Sequence, residues 1–239
     1  MQVKTKAIVL SQVKYGESSL IVRLFTESDG LKSYMLKGVR ASKRGRIKPA
    51  YFLPFNLLEI EATHKNKGTL EHLREVRLSQ QKPALHQDIV RSSLVLFLAE
   101  VVGQSVVEDQ EDQELFAFLE GAINQLETTR ELRVFHLYFI KELGRYLGIM
   151  PEVGEEVLPY FDLLEGRFLD RPGLNPIAEP PISSQFAVLL GIHFDALSKW
   201  KINKVERTEL LKCLLLYFEL HLHGFQKPRS LEVLQAVFD

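Results

Sequence analysis

The chain has 239 residues, of which 46% are hydrophobic and 26% charged, a composition ordinary for a soluble globular protein and unlike that of a disordered or low-complexity chain. No window approaches the ~20 consecutive apolar residues of a membrane span, and the N-terminus lacks the apolar core of a signal peptide, so we expect a cytoplasmic protein. The net charge of −1 conceals an asymmetry, because residues 1–82 hold 16 Lys and Arg against 7 Asp and Glu, whereas residues 83–239 hold 14 against 24. The basic first part predicts a polyanion as its partner.

Residues 1–82 show the alternation of apolar and polar residues that is typical of β-strands. Residues 3–13 alternate before a turn at Tyr15-Gly16-Glu17, residues 19–26 form a second run, and Gly30 leads into a third. Two further runs, PFNLLEIEA and GTLEHLREVRL, flank a turn cluster at 64–68. Five short strands without a long helical pattern predict a small barrel, since closure removes exposed strand edges, and the leading candidate is the OB-fold.

From Pro83 onward the period of the apolar residues changes from two to about 3.6, which predicts helices. The first is a buried helix with Ile89, Leu96, Ala99, Val102 and Val106 near one face. Asp112 is placed to cap the second, and Gly148 and Pro151 end a third that covers 131–147. Helical patterns return at 184–197, 206–223 and 230–237.

Residues 149–182 interrupt the helical pattern with six prolines and predict an irregular insert that contains a small β-hairpin. The sequence therefore predicts two domains. The first is an N-terminal five-stranded OB-fold barrel at residues 1–82. The second is an all-α helical domain at residues 83–239, with the irregular insert at about 149–182.

The sharpest local signal is a basic segment between Asp29 and Glu59, a stretch that contains no acidic residue. Its glycines and small residues predict a flexible loop between strands three and four that can follow a phosphate backbone. The loops after strands one and four add cations, and Tyr15 and Tyr34 are the rings best placed for exposure and base stacking. The predicted DNA-binding residues are Lys32, Lys37, Arg40, Lys43, Arg44, Arg46, Lys48, Lys14, Tyr15, Lys65 and Lys67.

Catalytic and metal-binding patterns are missing from the sequence. It contains no P-loop, no GxGxxG, no GxSxG and no HExxH, and the acidic residues at 108–114 lack the spacing of an EF-hand loop. The single cysteine, Cys213, cannot form an intrachain disulfide or a cysteine-based zinc site. We therefore expect a protein that is not an enzyme and that holds no cofactor and no metal.

Several motifs of the chain together resemble those of a known family. In the N-terminal part they are Ala7-Ile8-Val9-Leu10, Tyr15-Gly16-Glu17-Ser18-Ser19-Leu20-Ile21-Val22 and Lys37-Gly38-Val39-Arg40. In order and spacing these motifs resemble the RecO family of bacterial DNA repair proteins. The run Tyr217-Phe218-Glu219-Leu220-His221-Leu222, followed by Gly224 and Pro228, looks like the family's closing helix and tail. The resemblance implies a recombination mediator that binds single- and double-stranded DNA, anneals complementary strands and assists RecA loading onto DNA coated by single-strand-binding protein.

The resemblance also implies partners, namely RecR, the acidic C-terminal tail of single-strand-binding protein and, indirectly, RecA. An acidic tail with an aromatic end requires an apolar groove with cations. The cations available in the helical domain are Lys141, Arg145, Lys199, Lys201, Lys204, Arg207 and Lys212, and the sequence does not choose among them. The alternative interpretation is a non-catalytic protein–protein adaptor or an RNA-binding module that uses the basic loop.

Many members of that family carry a four-cysteine zinc site after a Leu-Gly-x-x-Pro step, which is present here at residues 147–151. No cysteine follows at the expected positions of this chain. We therefore expect a zinc-less insert in which apolar packing of Phe161, Leu163 and Phe168 replaces the folding contribution of the metal.

Overall fold

The structure is a computed structural model that describes residues 1–41, 47–65, 70–108, 110–151 and 158–238. The strands are β1 Gln2–Tyr15, β2 Ser19–Thr26, β3 Gly30–Leu36, β4 Leu57–Thr63, β5 His72–Leu78, β6 Tyr160–Asp162, β7 Arg167–Leu169 and β8 Ile177–Ala178. The α-helices are α1 Pro83–Gln87, α2 Ile89–Ser105, α3 Gln113–Thr128, α4 Leu132–Tyr146, α5 Ile182–Gly191, α6 Lys204–His221 and α7 Leu231–Phe238. Two 3₁₀ turns lie at Pro49–Phe52 and Phe194–Lys199.

The first five strands form an antiparallel sheet in the order β3-β2-β1-β4-β5. The two edge strands meet and close it, because the Glu71 amide donates to the carbonyl oxygen of Ser33 at 2.8 Å and the Met35 amide donates to that of Glu71 at 3.2 Å. This parallel contact between β3 and the start of β5 produces the closed five-stranded barrel of an OB-fold. The predicted fold class, an OB-fold followed by helices, is confirmed.

Alternation along the strands separates the interior of the barrel from its outside. The interior is apolar and closely packed, and it contains Ala7, Val9, Leu20, Val22, Leu24, Tyr34, Leu36, Val39, Phe52, Leu58, Ile60, Ala62, Leu73 and Val76. On the outside, Ile8, Phe25 and Leu31 are also buried. The outside of the barrel is therefore not uniformly exposed, and this restricts where a partner can bind.

The chain packs as two compact units, Met1–Thr128 with Ser230–Asp239 and Thr129–Arg229. Helices α1, α2, α3 and α7 thus belong to the same unit as the barrel, whereas the sequence places a domain boundary at Lys82-Pro83, which stays a prediction. Residues 83–128 and 230–239 together hold 1 Lys or Arg against 11 Asp and Glu, and residues 129–229 hold 13 of each sign. The acidity of the second part of the sequence therefore lies entirely in the unit that contains the basic barrel.

In the first unit, side chains cap the starts of the two long helices. The Arg91 amide donates to Oδ1 of Asp88 at 2.8 Å, and the Leu115 amide donates to Oδ1 of Asp112 at 2.8 Å, as predicted for Asp112. The predicted buried face of α2 was partly wrong, because Ile89 and Leu96 are exposed. This helix is apolar on nearly every side, so its sequence pattern does not reveal which side is covered.

The second unit contains α4, α5, α6 and the three-stranded sheet β7-β6-β8. The predicted hairpin in the insert is confirmed as the pair of β6 and β7. The ring of buried Phe161 lies 4.4 Å from that of Phe186 and 4.8 Å from that of Phe168, and Leu163 is also buried. The insert is thus held by an aromatic cluster, as its sequence indicated.

None of the helices in the described residues combines the length and apolarity needed to cross a membrane. No cluster of His, Cys, Asp and Glu in the same ranges could hold a metal ion.

Candidate nucleic-acid interface

The turn between β1 and β2 is hydrogen-bonded to the chain that follows β3. The Arg40 amide donates to the carbonyl oxygen of Ser18 at 2.9 Å, and Nη1 of Arg40 donates to that of Glu17 at 3.1 Å. The exposed side chains of Lys14, Tyr15, Lys37 and Arg40 accordingly gather at one end of the barrel. The Tyr15 ring is accessible for stacking on a base, since that residue is 55% exposed.

Part of the basic loop lies outside the described residues, namely Lys43, Arg44 and Arg46. Lys48 is exposed and directly precedes the first 3₁₀ turn, where the Tyr51 amide donates to the carbonyl oxygen of Lys48 at 3.0 Å. The described flanks of the loop, up to Ala41 and from Ile47, thus join ordered parts of the barrel.

Asn56 connects this region to helix α1. Its side-chain Nδ2 donates to the carbonyl oxygens of Ala50 and Tyr51, both at 3.1 Å, and its Oδ1 lies 2.9 Å from Nε2 of His86. Burial lowers the pKa of His86, which favours the neutral ring at this contact. The neighbouring Phe55 adopts a φ of 62°, a strained value for a residue with a side chain. These contacts hold the end of the basic loop against the barrel wall.

Lys65 lies at a different end of the barrel from Lys14. The preceding residue, His64, has Nδ1 3.3 Å from Oδ1 of Asp29, which lies in the turn between β2 and β3. The amide of Lys65 donates to both carboxylate oxygens of Glu71, at 3.0 and 2.8 Å. Lys65 is exposed, whereas Lys67 lies outside the described residues. The structure therefore does not bring Lys65 together with the cations of the β1–β2 turn.

Lys32 is only 4% exposed. Because alternate residues of a strand share a face, its side chain points to the same inner side of β3 as Tyr34 and Leu36. It belongs to a polar group with Asp29, Tyr34, His64 and Glu71, of which Asp29 is half-buried and the others are buried. We leave Lys32 out of the interface proposed below, because a buried ammonium is not accessible to a phosphate. The number of charges in the basic segment does not reveal which way the side chain of Lys32 points.

Tyr34 is fully buried, so the prediction of an exposed stacking ring was wrong for this residue. Its hydroxyl oxygen lies 2.7 Å from Nε2 of His64. Burial raises the pKa of Tyr34, and the charges of Asp29 and Glu71 add to this effect. Burial also opposes ionisation of Asp29, but hydrogen bonds from Ser28 and His64 outweigh it and lower the pKa of that carboxyl. The polar group around Tyr34 therefore closes this end of the barrel and has a structural role.

Sequence reasoning missed the outer face of β1, β2 and β3. Strand register aligns Val13 with Ile21 and Met35 in one row, and it aligns Arg23 with Ser11 and Ser33 in the next. Val13 is 60% exposed, and Ile21, Met35 and the Arg23 row are half-buried. We call Val13, Ile21, Arg23, Ser33 and Met35 the strand face.

The strand face offers apolar contact for bases beside a cation for phosphate, and strands two and three are the surface that OB-folds commonly use for oligonucleotides. It adjoins the β1–β2 turn, since Val13 lies two residues from Tyr15 in β1. The signal in the sequence was the alternation that places Ile21 and Arg23 between the buried residues of β2. This alternation alone does not identify the strand face, because the register shows which residues of β1 and β3 lie beside Ile21 and Arg23.

One side of the strand face is closed by the segment that joins α2 to α3. The rings of Phe25 and Phe116 stack at 6.1 Å, and Leu31 pairs with Glu108 as an isolated bridge. Gly30 lies directly under this segment, where a Cβ would collide with the carbonyl oxygen of Gln110. The accessible surface is therefore bounded by the β1–β2 turn at one end and by Glu108, Gln110 and Phe116 at the other.

Some of the cations proposed for partner binding in the second unit already have partners. Lys141 is buried, its Nζ donates to the carbonyl oxygen of Ile192 at 3.1 Å, and it pairs with Glu142. Arg145 pairs with the same carboxylate at 2.9 Å, and Lys212 pairs with Glu209 at 2.7 Å. Arg207 is half-buried, and burial lowers its pKa. Lys199, Lys201 and Lys204 are exposed.

Comparison with known proteins covers almost the whole chain. Residues 1–81 match the family model for the N-terminal part of recombination protein O, and residues 86–232 match the model for its C-terminal part. The chain is 42% identical over 238 residues to a protein named DNA repair protein RecO from Flavobacterium psychrophilum, with 100% of both chains covered. The protein of the same name from Christiangramia forsetii is 41% identical with the same coverage, and that from Bacteroides fragilis is 32% identical over 240 residues with 99% of both covered.

Proposed function

The chain belongs to the RecO family of DNA repair proteins, and from that premise we propose that it is a recombination mediator that binds single- and double-stranded DNA, anneals complementary strands and assists RecA loading onto DNA coated by single-strand-binding protein. The observation that carries the proposal is the junction of the β1–β2 turn with Arg40, which gathers exposed cations and Tyr15 beside the strand face. Relatives that carry the name DNA repair protein RecO support the role in repair.

The proposed DNA site consists of a basic rim and an apolar face. Lys14, Lys37, Arg40 and Lys48 form the described rim, and Lys43, Arg44 and Arg46 continue it in sequence. Cations neutralise phosphates and release counterions, which gives affinity without sequence preference. The strand face contacts bases through aliphatic side chains, and this tolerates any sequence. Binding without sequence preference is what annealing of arbitrary complementary strands requires.

We propose that the protein works by binding and exchange and is not an enzyme. Annealing needs no bond to be made or broken in the DNA backbone, so neutralised phosphates and accessible bases suffice. The proposed partners are RecR, the acidic C-terminal tail of single-strand-binding protein and, indirectly, RecA. We propose the cytoplasm, at the nucleoid, as the location, because the substrate is chromosomal DNA.

Annealing of two complementary oligonucleotides without ATP tests this proposal most directly. The wild-type chain is expected to accelerate annealing, and the simultaneous change of Lys43, Arg44, Arg46 and Lys48 to glutamate is expected to abolish the effect. Wild-type protein that binds neither single- nor double-stranded DNA would favour the adaptor alternative. Preference for RNA over DNA of the same sequence would favour the RNA-binding alternative.

A further inference from the structure

Arg23 is the cation of the strand face. Its backbone pairs with those of Ser11 and Ser33, so its side chain projects from the outer surface of the barrel, midway across the three strands. The guanidinium passes close to Gly103, where a Cβ would lie 3.9 Å from Nη1. It continues to Glu108, with Nη2 3.7 Å from Oε1. The two side chains are 37% and 66% exposed, so both remain in contact with water.

The backbone of the segment that follows α2 holds Glu108 in place. The bridge between Leu31 and Glu108 attaches this residue to the edge of β3, and the close approach of Gln110 to Gly30 extends the contact. The stacked rings of Phe25 and Phe116 secure the start of α3 against the same strands. The Glu108 carboxylate is therefore kept beside Arg23 by backbone contacts that do not depend on the ion pair.

A carboxylate held next to the cation of a nucleic-acid face occupies the position that a phosphate would take. The sequence around it strengthens the negative field, because Asp109, Glu111, Asp112 and Glu114 follow within six residues. A phosphate that approaches Arg23 has to displace Glu108 and then remains near this acidic segment. An exposed ion pair is weak and screened by salt, so displacement is possible and its cost is small.

We infer that Glu108 is an internal competitor for DNA, which pairs with Arg23 in the free protein and is displaced when a DNA phosphate binds to the strand face. The inference rests on the proposed function, because it assigns a regulatory contact to the same DNA site. Its effect is to weaken binding and hasten release, which suits a mediator that has to pass its strand to another protein. Arg23 becomes a DNA contact that is available only after exchange.

The test measures the affinity of full-length protein for a fluorescently labelled oligothymidine by anisotropy, across a series of salt concentrations. Glu108→Gln is expected to tighten binding about two- to five-fold at low salt, the factor that an exposed ion pair can withhold. The log–log salt slope should steepen by less than the roughly 0.7 that one phosphate contributes on a single strand, because the ion pair that opposes binding in wild type is itself screened as salt rises. Arg23→Ala is expected to weaken binding and to abolish the effect of a second Glu108→Gln change.

The matched control is Glu120→Gln, which makes the same charge change in the same unit and breaks the 3.1 Å ion pair with Lys6. It should leave the affinity within the error of wild type. Equal tightening by both variants would overturn the inference, since the effect would then be long-range charge. Tightening by Glu108→Gln that persists in the Arg23→Ala background would overturn it as well. Wild-type protein that binds no DNA would overturn the proposed function together with this inference.

Discussion

The hydroxyl of Tyr34 and Nε2 of His64 lie 2.7 Å apart inside the end of the barrel, where both side chains are buried. Tyr34 is on β3, and His64 follows β4, so the contact joins two segments 30 residues apart. The closing contact between β3 and β5 lies next to it, through Glu71. A residue that the sequence suggested for stacking on DNA thus stabilises the barrel itself.

Removal of this hydroxyl is expected to destabilise the protein. Tyr34→Phe leaves a buried ring nitrogen of His64 without its partner, which costs about 1–3 kcal/mol of unfolding free energy. Urea unfolding followed by circular dichroism measures the change. Tyr15→Phe, which removes the hydroxyl of an exposed tyrosine, is the control and should have no effect on stability. A Tyr34→Phe protein as stable as wild type would show that the contact contributes nothing.

DNA affinity should depend strongly on salt and on the basic loop. If about five cations of the rim neutralise phosphates, the log–log salt slope for single-stranded DNA is expected near −3.5, from about −0.7 per phosphate. Fluorescence anisotropy at several salt concentrations measures it. A flat salt response would contradict phosphate contact altogether.

Charge inversion in the loop should abolish annealing by removing those contacts. Its control is the triple change of Lys199, Lys201 and Lys204 to glutamate, which alters exposed cations of the second unit. We expect annealing of naked oligonucleotides to survive the control. Loss of annealing in the control and its survival in the loop variant would move the DNA site to the second unit.

The aromatic cluster of the insert should be essential to its stability. Phe161→Ala removes a fully buried ring that stacks on Phe186 and meets Phe168 at a tilt, and it is expected to cost about 3–5 kcal/mol. Thermal and urea unfolding measure the loss. Leu164→Ala, at an exposed position of the same insert, is the control and should change stability little.

The insert should also need no zinc. Treatment with a chelator is expected to leave the melting temperature unchanged, because side chains supply the packing. Elemental analysis that found one zinc ion per chain, lost together with stability on chelation, would contradict this prediction.

Mild acid should destabilise the protein through buried His136. Burial lowers its pKa from 6.5 to about 3, and the positive charge of Arg207 acts in the same direction. The unfolded chain therefore binds a proton at a pH where the folded chain does not, so the stabilisation is complete above pH 6.5 and is lost as the pH falls towards 3. The loss amounts to about 1.4 kcal/mol for each pH unit in this window.

Urea unfolding at pH 6.5 and pH 5 measures this effect, to which His86 contributes with the same sign. His136→Gln is expected to reduce the loss between these two values by about 2 kcal/mol. His223→Gln, which makes the same substitution at an exposed position, is the control. An equal pH dependence of wild type and His136→Gln would show that His136 does not titrate on unfolding.

Most of the secondary structure followed from local patterns. The bounds of β2 were predicted correctly because alternation and two turns define that strand from both sides. The cap of α3 was predicted at Asp112, since capping depends on a few adjacent residues. The buried side of α2 was not visible, because an apolar helix carries no marker of which neighbour covers it.

The candidate site was predicted only in part. Lys14, Tyr15, Lys37, Arg40 and Lys48 are exposed as expected, because they lie in turns or at the ends of strands. Charge counting could not separate Lys32 from these residues, since the direction of a strand side chain depends on the register of the whole strand. Register also decided that Arg23 lies on the strand face beside Val13 and Ile21.

The sequence by itself determined the strands, the helices, the family and the opposite charges of residues 1–82 and 83–239, because each depends on neighbouring residues or on a sum. Only the tertiary structure decided where the charges meet. The acidic residues of 83–128 belong to the same unit as the basic barrel, and Glu108 lies beside Arg23. Pairing of residues 85 positions apart is set by packing of apolar surfaces such as Phe25 and Phe116, and no local pattern encodes it.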